Sequence, residues 1–357
     1  MRSLRQLHVR NLVTERFTFG SGLTAVVGPN AAGKSNLLEA LMLGLSGAGS
    51  GSKVTESLRF GHEQGYVRVE FEGADGEHTV EVALTPGRRT VRLDSQVVPA
   101  AELGPLGGVV LVAPQDAEVV HGAPARRRNF LDNLLARLSL RYALVLREYL
   151  RVLEQRNALL RAGDPSGTRS TWDARFVTLG EEVASLRSRA VVSLARSAAE
   201  AYDQIAGGAH GFEVSLEPCH PEPGLAAALE ATRSAETARG ATLVGPHRDD
   251  LRLLLGGREL QAYGSRGEAR TAALALRVAE RALLEARHGR PPLLLIDDVN
   301  AELDSRRRTF LVRLAESAPQ AIVTGTEAPD GAARVWRVEA GRVSTGAAEE
   351  LEVADGP

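Results

Sequence analysis

The chain has 357 residues, of which 43% are hydrophobic, and a formal net charge of −2. This length provides a core for one large domain or two smaller ones, and the near-zero charge excludes a globally basic nucleic-acid-binding protein. A single cysteine, Cys219, excludes an internal disulfide and a zinc site built from several cysteines. The chain has neither an apolar run of 18 residues nor the apolar core of a signal peptide, which predicts a cytoplasmic protein.

The first predicted element is a buried parallel strand, Leu23–Val27, which leads into the sequence GPNAAGKS. This loop has the G-x-x-x-x-G-K-[ST] spacing of phosphate-binding loops, at Gly28, Gly33, Lys34 and Ser35. Glycines let backbone N–H groups turn towards a phosphate, the lysine would neutralise the β- and γ-phosphates, and the serine hydroxyl would bind Mg²⁺. The residues after the loop predict a helix, whose N-terminus favours an anion. The pattern therefore predicts a nucleoside triphosphate with Mg²⁺.

Lysine is rare in this chain, and its position in the loop supports the same interpretation. Of the 43 basic residues, only Lys34 and Lys53 are lysines, and the rest are arginines. The planar guanidinium of arginine cannot replace a compact ammonium group inside a tight phosphate loop, so chemistry explains the lysine at position 34. Lys53 follows a flexible stretch rich in glycine and serine and is predicted to be an ordinary surface residue.

A helical hairpin is predicted between residues 122 and 205. Apolar residues repeat at spacings of four and three along two segments, at Leu131, Leu135, Leu138, Tyr142, Val145, Tyr149 and Val152 and then at Phe176, Leu179, Val183, Leu186 and Ala190. The turn AGDPSGTRST, residues 162–171, separates the two segments, and the sequence AGGAHG ends the second. At 1.5 Å per residue, a first helix of about 36 residues would reach roughly 54 Å.

The first limb of this hairpin is basic. Residues 125–161 carry nine arginines and three carboxylates, a net charge of +6. Arg137 with Arg141, and Arg147 with Arg151, are four residues apart, so each pair is predicted to share a helix face. Such like charges cost stability unless an anion faces them, which makes the four arginines candidate contacts to the phosphates of DNA. The alternative is a solvated helix face, and no aromatic residues are interleaved to stack on bases.

Further along the chain, a polar turn is followed by an acidic strand end. Gly264–Glu268 opens a predicted amphipathic helix and, taken alone, is typical of a helix cap. Four apolar residues, Leu293–Ile296, then form a predicted buried strand that ends in Asp297 and Asp298. A carboxylate at such a strand end, beside a phosphate loop, can hold Mg²⁺, which is the role predicted for Asp297. Asp298 would orient or deprotonate an attacking water; the alternative is an ordinary acidic turn.

Together these features resemble the SMC-like ABC ATPases, in which a helical insertion divides a nucleotide-binding head. The turn GSRGE is similar to the family's Leu-Ser-Gly-Gly-Gln signature, with Ser265, Gly267 and Glu268 at matching positions. NAELD, residues 300–304, stands at the place of the family's D-loop, and Gln115 at the place of its Mg²⁺-contacting Q-loop. ARRRNFLD, TLVGPHRDDL and LLLIDDVNAELD extend the similarity over nearly the whole chain, and the short insertion resembles that of the short-armed members. For GPHRDD, a turn that positions the signature and a direct ligand contact are both open.

The resemblance implies an α/β fold, namely an ABC-type ATPase head with a mixed β-sheet core and an inserted antiparallel helical hairpin arm. The head would comprise residues 1–121 and 206–357, and the arm residues 122–205. ATP and Mg²⁺ are the implied ligands, with Ser35, Asp297 and Gln115 at Mg²⁺ and Asp298 as the catalytic base. The implied ATP contacts are Gly28, Pro29, Asn30, Ala31, Ala32, Gly33, Lys34, Ser35, Asn36 and Gln115, together with Ser265, Arg266, Gly267 and Glu268 supplied in trans by a second copy.

The resemblance also implies a function, an ATP-dependent homodimer of recombinational repair. It would clamp double-stranded or gapped DNA and help to load recombinase together with the RecR and RecO proteins, with no membrane partner. The resemblance implies a DNA-stimulated ATPase, and two departures from the family pattern predict that its hydrolysis is weak. Asp298 replaces the usual glutamate, and Thr324 and Thr326 are the hydroxyls available where a transporter ATPase has its switch histidine.

Two other functions remain as alternatives, the nucleotide-binding subunit of a transporter and a nuclease-coupled ATPase. The missing switch histidine, the helical hairpin and the spacing of the motifs argue against the first. The sequence contains no recognisable metal-dependent nuclease domain, which argues against the second.

Overall fold

The computed structural model describes residues 1–13, 16–47, 54–73, 76–106, 108–164, 167–220, 224–300 and 304–347. The chain forms two compact units, Met1–Gln115 with Glu280–Pro357, and Asp116–Ala279. The predicted arm, residues 122–205, lies inside the second unit, and the predicted division into head and arm stays a prediction. Lys53, two residues of the predicted turn (165 and 166) and residues 301–303 of NAELD lie outside the described residues.

The elements of the structure are as follows in chain order. The first part contains β1 Ser3–Leu7, β2 Arg16–Thr18, β3 Gly22–Val27, α1 Lys34–Ser46, α2 Val54–Ser57, β4 Gly65–Glu72, β5 Glu77–Thr85, β6 Arg88–Leu93, β7 Gln96–Val97 and β8 Val109–Val112. The middle contains α3 Glu118–His121, α4 Pro124–Leu138, α5 Leu140–Ala162, α6 Arg169–Ala206, β9 Phe212–Glu217, α7 Leu225–Arg239, β10 Asp250–Leu255, β11 Arg258–Glu259, α8 Leu260–Tyr263 and α9 Arg266–His288. The last part contains β12 Leu293–Ile296, α10 Ser305–Ser317, β13 Gln320–Gly325, β14 Arg334–Glu339 and β15 Arg342–Ala347.

A mixed six-stranded sheet forms the centre of the first unit. Its order is β15-β14-β3-β13-β12-β8, and all neighbours are parallel except β14 and β15. The two predicted apolar strands coincide with β3 and β12 to within one residue. Continuous apolar runs suit strands that are buried on both faces, which is typical of parallel sheets. This sheet confirms the mixed core, and it brings the carboxyl ends of β3, β13, β12 and β8 to one edge.

A second sheet in the same unit is antiparallel, with the order β2-β1-β4-β5-β6-β7. Buried and less buried residues alternate along β4 and β5, as expected for a sheet that has one face in the core. Helix α1 contacts strands of both sheets and buries Leu37, Leu38 and Leu41 completely. At Gly44 an added Cβ would overlap a methyl group of Val69, so glycine allows α1 to approach β4 closely.

Helices α5 and α6 form an antiparallel pair in the second unit, which confirms the helical hairpin. Three ion pairs join the two helices in opposite sequence order, Arg141–Glu182, Glu148–Arg175 and Arg156–Asp173. The members of the two predicted apolar seams that lie fully inside are Leu131, Leu135, Tyr142, Tyr149, Val152, Phe176 and Val183. With 38 residues, α6 is about 57 Å long.

The first limb of the hairpin differs from the prediction of one helix of about 36 residues. Ser139 has extended backbone angles, φ −149° and ψ 111°, and separates α4 from α5. Its side chain accepts a hydrogen bond from the backbone N–H of Tyr142 and so caps the new helix. The limb is therefore broken, and α5 alone spans about 35 Å.

The second unit also contains a small antiparallel sheet, with the order β11-β10-β9. Helix α6 leads directly into β9, and β10 pairs with β9 from Asp250 to Leu255. In the part of the chain that the structure describes, no helix is both long and apolar enough to cross a membrane.

Candidate nucleotide-binding site

The predicted phosphate loop connects β3 to α1, as the motif requires. At Gly28 an added Cβ would overlap the carbonyl oxygen of Val338 on β14, so no side chain fits. Gly33 has φ +116°, a left-handed conformation that favours glycine, and Ala31 also has a positive φ of 65°. A further contact holds the loop from the β14–β15 turn, since the Gly341 N–H donates to the Ala32 carbonyl at 2.8 Å.

Lys34 begins α1 and points back over the loop. Only 8% of Lys34 is exposed, and its ammonium group donates to the carbonyl oxygens of Gly28 and Pro29 at 2.8 and 2.9 Å. These carbonyls hold a compact cation over the concave side of the loop, where the flat fork of arginine would not fit. The next residue but one, Asn36, donates to the side chain of Asn11 at 2.7 Å, a contact that the sequence did not predict.

Ser35 and Asp297 are 262 positions apart in the sequence and adjacent in the structure. The Ser35 hydroxyl donates to Asp297 Oδ1 at 2.9 Å. A second hydroxyl, that of the fully buried Thr324 on β13, donates to the same oxygen at 2.7 Å. The phosphate loop and the end of β12 are therefore in contact, as the sequence led us to expect. The hydrogen bond from Thr324 orients the Asp297 carboxylate.

Asp298 adopts an unusual backbone conformation, with φ +50°. Its N–H donates to the Thr324 hydroxyl at 2.8 Å, so one side chain orders both aspartates. The Asp298 carboxylate makes no hydrogen bond with any residue that the structure describes. It is thus available to a ligand, which suits its predicted role as a base.

Two further predicted residues follow strands at the same edge of the sheet. Gln115 is exposed and stands three residues after β8, the parallel neighbour of β12. Thr326 is exposed just after β13, whereas Thr324 is buried against Asp297. Of the two threonines, only Thr326 is therefore open to solvent where a switch residue would act.

The predicted signature turn, in the second unit, opens the 23-residue helix α9. The Ser265 hydroxyl accepts from the N–H of Glu268 at 3.2 Å, and Glu268 accepts from the N–H of Ser265 at 2.8 Å, which is a reciprocal capping box. The backbone N–H of Ser265 lowers the pKa of the Glu268 carboxyl. Ser265 and Arg266 are exposed, so the turn presents a helix N-terminus to solvent. The same residues therefore form a helix cap and could also serve as a signature turn, so the two interpretations are compatible.

The GPHRDD segment, Gly245–Asp250, contacts both helices of the hairpin. Gly245 has φ +122°, and an added Cβ would lie 2.8 Å from the hydroxyl of Tyr149. Buried Arg187 on α6 donates to the Asp249 carboxylate at 2.9 Å and to the Pro246 carbonyl at 2.6 Å. Sequence reasoning left the role of this segment open, and in the structure it joins the arm helices through buried ion pairs.

The basic face is smaller than the sequence predicted. Because Ser139 breaks the helix, Arg137 and Arg141 are on different helices, and the prediction that they share one face is wrong. Arg141 also pairs with Glu182 at 2.7 Å. Arg147 and Arg151 are both exposed on α5, one helical turn apart.

Two other arginines of the basic run are structural. Arg156 is fully buried between Asp173 and Glu236, and Arg127 is buried against Asp250. A buried arginine that is saturated by carboxylates cannot reach DNA. The net charge of +6 therefore overstates the positive surface of the limb.

These residues suit a triphosphate and Mg²⁺. Mg²⁺ prefers oxygen ligands in an octahedron with bonds of about 2.0–2.1 Å, whose neighbouring ligands are about 2.9 Å apart. The oxygens of Ser35 and Asp297 have this separation, 2.9 Å. The loop backbone and Lys34 provide the positive partner for phosphate oxygens. The donor set therefore fits both groups.

Comparison with known proteins agrees with this geometry. The sequence profile of the RecF/RecN/SMC N-terminal domain matches residues 1–330. The chain belongs to the RecF/RecN/SMC family. Within this family it is 45% identical over 342 residues to the DNA replication and repair protein RecF of Deinococcus deserti, covering 96% of this chain and 94% of that protein. It is 43% identical over 351 residues to RecF of Deinococcus radiodurans, covering 98% of this chain and 97% of that one.

Solved structures of RecF have the same fold over 97% of this chain. A structure of the recombination mediator protein RecF-ATP in the RecFOR pathway has a TM-score of 0.89 at 28% identity, covering 97% of each chain. The corresponding RecF-ATPrS structure has a TM-score of 0.87 at 28% identity and covers 97% of this chain and 98% of that one. An Smc head domain from Pyrococcus furiosus, at 18% identity and a TM-score of 0.55, shares the fold.

Proposed function

We propose that the chain is an ATP-dependent DNA-binding protein of recombinational repair. Two copies would close around ATP, clamp double-stranded or gapped DNA and help to load recombinase, and slow hydrolysis would release them. The observation that carries the proposal is the contact of Ser35 with Asp297 at the end of the phosphate loop, in a chain whose relatives are RecF proteins. Those relatives support repair over a transporter subunit or a nuclease-coupled ATPase.

The triphosphate would lie in the loop between Gly28 and Ser35. Lys34 would exchange its two carbonyl partners for phosphate oxygens, which are stronger acceptors because they are charged. Beside α1 lies an open cavity of about 730 Å³, lined among others by Arg10, Asn36 and Phe60. The Phe60 ring is fully exposed there, and we assign the nucleoside half of ATP to this cavity.

Mg²⁺ would be held by Ser35 and Asp297. Gln115, at the same edge of the sheet, would be a further ligand. The ion would supply positive charge to the phosphate oxygens. Thr324 keeps the Asp297 carboxylate turned towards Ser35, so the ligand pair is set before the ion arrives. Asp298 would take the proton of the water that attacks the γ-phosphate as the bond to the leaving oxygen breaks. Its short side chain supports slow turnover.

The signature turn would act on the ATP of a second copy. Ser265 and the N–H groups at the start of α9 offer donors to a γ-phosphate, and a two-fold dimer would place each turn on its partner's nucleotide. ADP lacks the γ-phosphate, so hydrolysis would remove the contacts on which closure depends. ATP binding and dimerisation would therefore be one event.

DNA would be bound through its phosphates by the arm. The exposed pair Arg147 and Arg151 supports this assignment most, and Arg137 and Arg141 remain as secondary candidates. RecR and RecO are proposed as partners because related RecF structures are described within the RecFOR pathway. The phosphate contacts would make binding strongly dependent on salt and weakly dependent on sequence.

Light scattering at saturating ATP tests the proposal with two variants. Asp298→Asn keeps the phosphate loop but loses the base, and it should accumulate as a dimer. Ser265→Arg should bind ATP and stay monomeric, because a bulky cation would stand in place of the donor. Ser188→Arg, at an exposed position of α6, adds the same group elsewhere and should dimerise like the parent. Equal dimerisation of Ser265→Arg and Ser188→Arg would refute the trans site.

A further inference from the structure

Two buried arginines hold the consecutive aspartates at the end of the GPHRDD segment. Arg187, on α6, holds Asp249 and also reaches Asp132 on α4 at 2.7 Å. Arg127, on α4, holds Asp250, with its Nε and one terminal nitrogen each 2.7 Å from a different carboxylate oxygen. Ion pairs at Asp249 and Asp250 thus join the segment to α6 and α4. Arg127, which forms the second of these ion pairs, also has other hydrogen-bond partners.

All the N–H groups of the Arg127 guanidinium have hydrogen-bond acceptors within the second unit. Besides Asp250, it donates to the carbonyl oxygens of Val120 and Gly122 at 3.3 and 3.0 Å. Nη2, one of the two Arg127 nitrogens that bind Asp250, also donates to the side-chain oxygen of Gln261 at 3.2 Å. Only 3% of Arg127 is exposed. A guanidinium is a rigid plane with five N–H donors, so this set of partners is compatible with one position only.

Gln261 connects Arg127 to the signature turn. It lies on α8, which ends at Tyr263, and its side-chain NH₂ donates to the Gly122 carbonyl at 3.2 Å. The N–H of Gly264 in turn donates to the carbonyl of Leu260 on the same short helix at 3.0 Å. Any displacement of α8 must therefore displace Gly264 and the serine that follows it.

We propose that Arg127 is a positioning residue for the signature turn, acting through Gln261. The turn's own hydrogen bonds, between Ser265 and Glu268, join residues three apart, so they fix the shape of the turn but not its position in the second unit. The position of the turn is set by the buried guanidinium of Arg127, acting through Gln261. Hydrogen bonds of a charged group are stronger and more directional than those between neutral groups. The functional part of this inference rests on the proposed trans site.

The same contacts connect the arm to the turn. Arg127 is in the first turn of α4, and α4 also carries Asp132, the partner of Arg187. If DNA displaces α4, the hydrogen bonds of Arg127 must either move α8 or break. We therefore expect DNA on the arm to alter the mobility of residues 264–268.

Hydrogen–deuterium exchange of the amides of residues 264–269 tests the positioning role directly. Gln261→Met removes both side-chain hydrogen bonds while keeping similar bulk, and exchange there should be about three- to tenfold faster, as expected for the loss of one or two hydrogen bonds. Gln261→Glu keeps an acceptor for Arg127 but loses the hydrogen bond to Gly122, so its exchange should lie between those of the parent and Gln261→Met. Gln155→Met, at an exposed position of α5, is the matched control.

A second pair of variants tests Arg127 itself. Arg127→Lys keeps the charge opposite Asp250 but has no fork to reach Gln261, so it should reproduce the faster exchange of Gln261→Met. Arg126→Lys, at the neighbouring position with 60% of the side chain exposed, should not. If Arg127→Lys fails to fold, the Gln261 variants decide.

The functional readout is the ATP-dependent dimer measured by sedimentation. Gln261→Met should bind a fluorescent ATP analogue like the parent and dimerise at least threefold more weakly. Unchanged exchange in Gln261→Met would overturn the positioning role, and faster exchange with unchanged dimerisation would overturn its link to the signature. If the parent protein itself stays monomeric with ATP, the proposed function fails, while the exchange experiment still decides the positioning role.

Discussion

Replacing Thr324 by valine would remove one buried hydroxyl group and little else. This hydroxyl donates to Asp297 at 2.7 Å and accepts the N–H of Asp298 at 2.8 Å. Valine has nearly the same shape, so the strand and its packing remain. The substitution therefore isolates the contribution of two hydrogen bonds to the predicted Mg²⁺ site.

The expected effect follows from these contacts. Leaving the Asp298 N–H without a partner should cost about 1 kcal/mol of folding stability, the low end of the range for a buried unsatisfied donor, because Asp298 is only partly buried. Groups that orient a metal ligand typically contribute about 10–100-fold to metal affinity. We therefore expect the Mg²⁺ concentration for half-maximal nucleotide binding to rise by that factor. Nucleotide affinity without Mg²⁺ should change by less than about twofold, because Lys34 and the loop are untouched.

The assay is a Mg²⁺ titration of a fluorescent ATP analogue, which needs no turnover. Thr324→Ser retains the hydroxyl and should stay close to the parent. Thr18→Val, at an exposed position of β2, makes the same chemical change outside the predicted site and should leave the Mg²⁺ midpoint unaltered. A midpoint for Thr324→Val within twofold of the parent would show that Asp297 is oriented without this residue and would contradict its predicted role at the Mg²⁺ site.

Three further predictions concern the phosphate loop, the arm and the GPHRDD segment. Lys34→Arg should abolish productive ATP binding although the charge is kept, because the guanidinium cannot occupy the place between two loop carbonyls; unimpaired affinity in a fluorescence titration would contradict this. Arg147→Glu with Arg151→Glu should lower the log–log salt slope of DNA binding by about two units, whereas an unchanged slope would place DNA elsewhere. Burial lowers the pKa of His247 to about 4, so the unfolded chain binds a proton near pH 6.5 and the folded one does not. Stability in urea melts should therefore be lost as pH falls from about 6.5 to 4, by roughly 3 kcal/mol, and His247→Gln should lose less over the same range.

The parts of the site that lie within a short stretch of sequence could be predicted. The phosphate loop, β3 and β12 were found because a motif or an apolar run of a few residues specifies each of them. The meeting of Ser35 with Asp297 could also be expected, since both follow parallel strands and such strands share a carboxyl edge. In these places local chemistry and topology agree.

The parts that depend on distant partners could not be predicted. Charge counting included Arg156 in the net positive charge of residues 125–161, but Glu236, 80 positions later, holds it in the core. The break at Ser139 interrupts an apolar seam that continues across it, so periodicity alone gave one long helix. The role of Thr324 had a weak signal, a hydroxyl residue inside an otherwise apolar buried strand, but its partner is not visible in the sequence.

The position of β3 has a consequence for synthesis of the chain. The strand that carries the phosphate loop is made among the first 27 residues, yet both of its neighbours, β13 and β14, come from residues 320–339. The loop itself lies against Val338 and accepts a hydrogen bond from Gly341. At 5–20 residues per second, a ribosome needs roughly 15–60 seconds to deliver these partners. We therefore expect a nascent chain that ends before residue 320 to lack both strand neighbours of β3, and so to bind nucleotide more weakly than a chain that contains them.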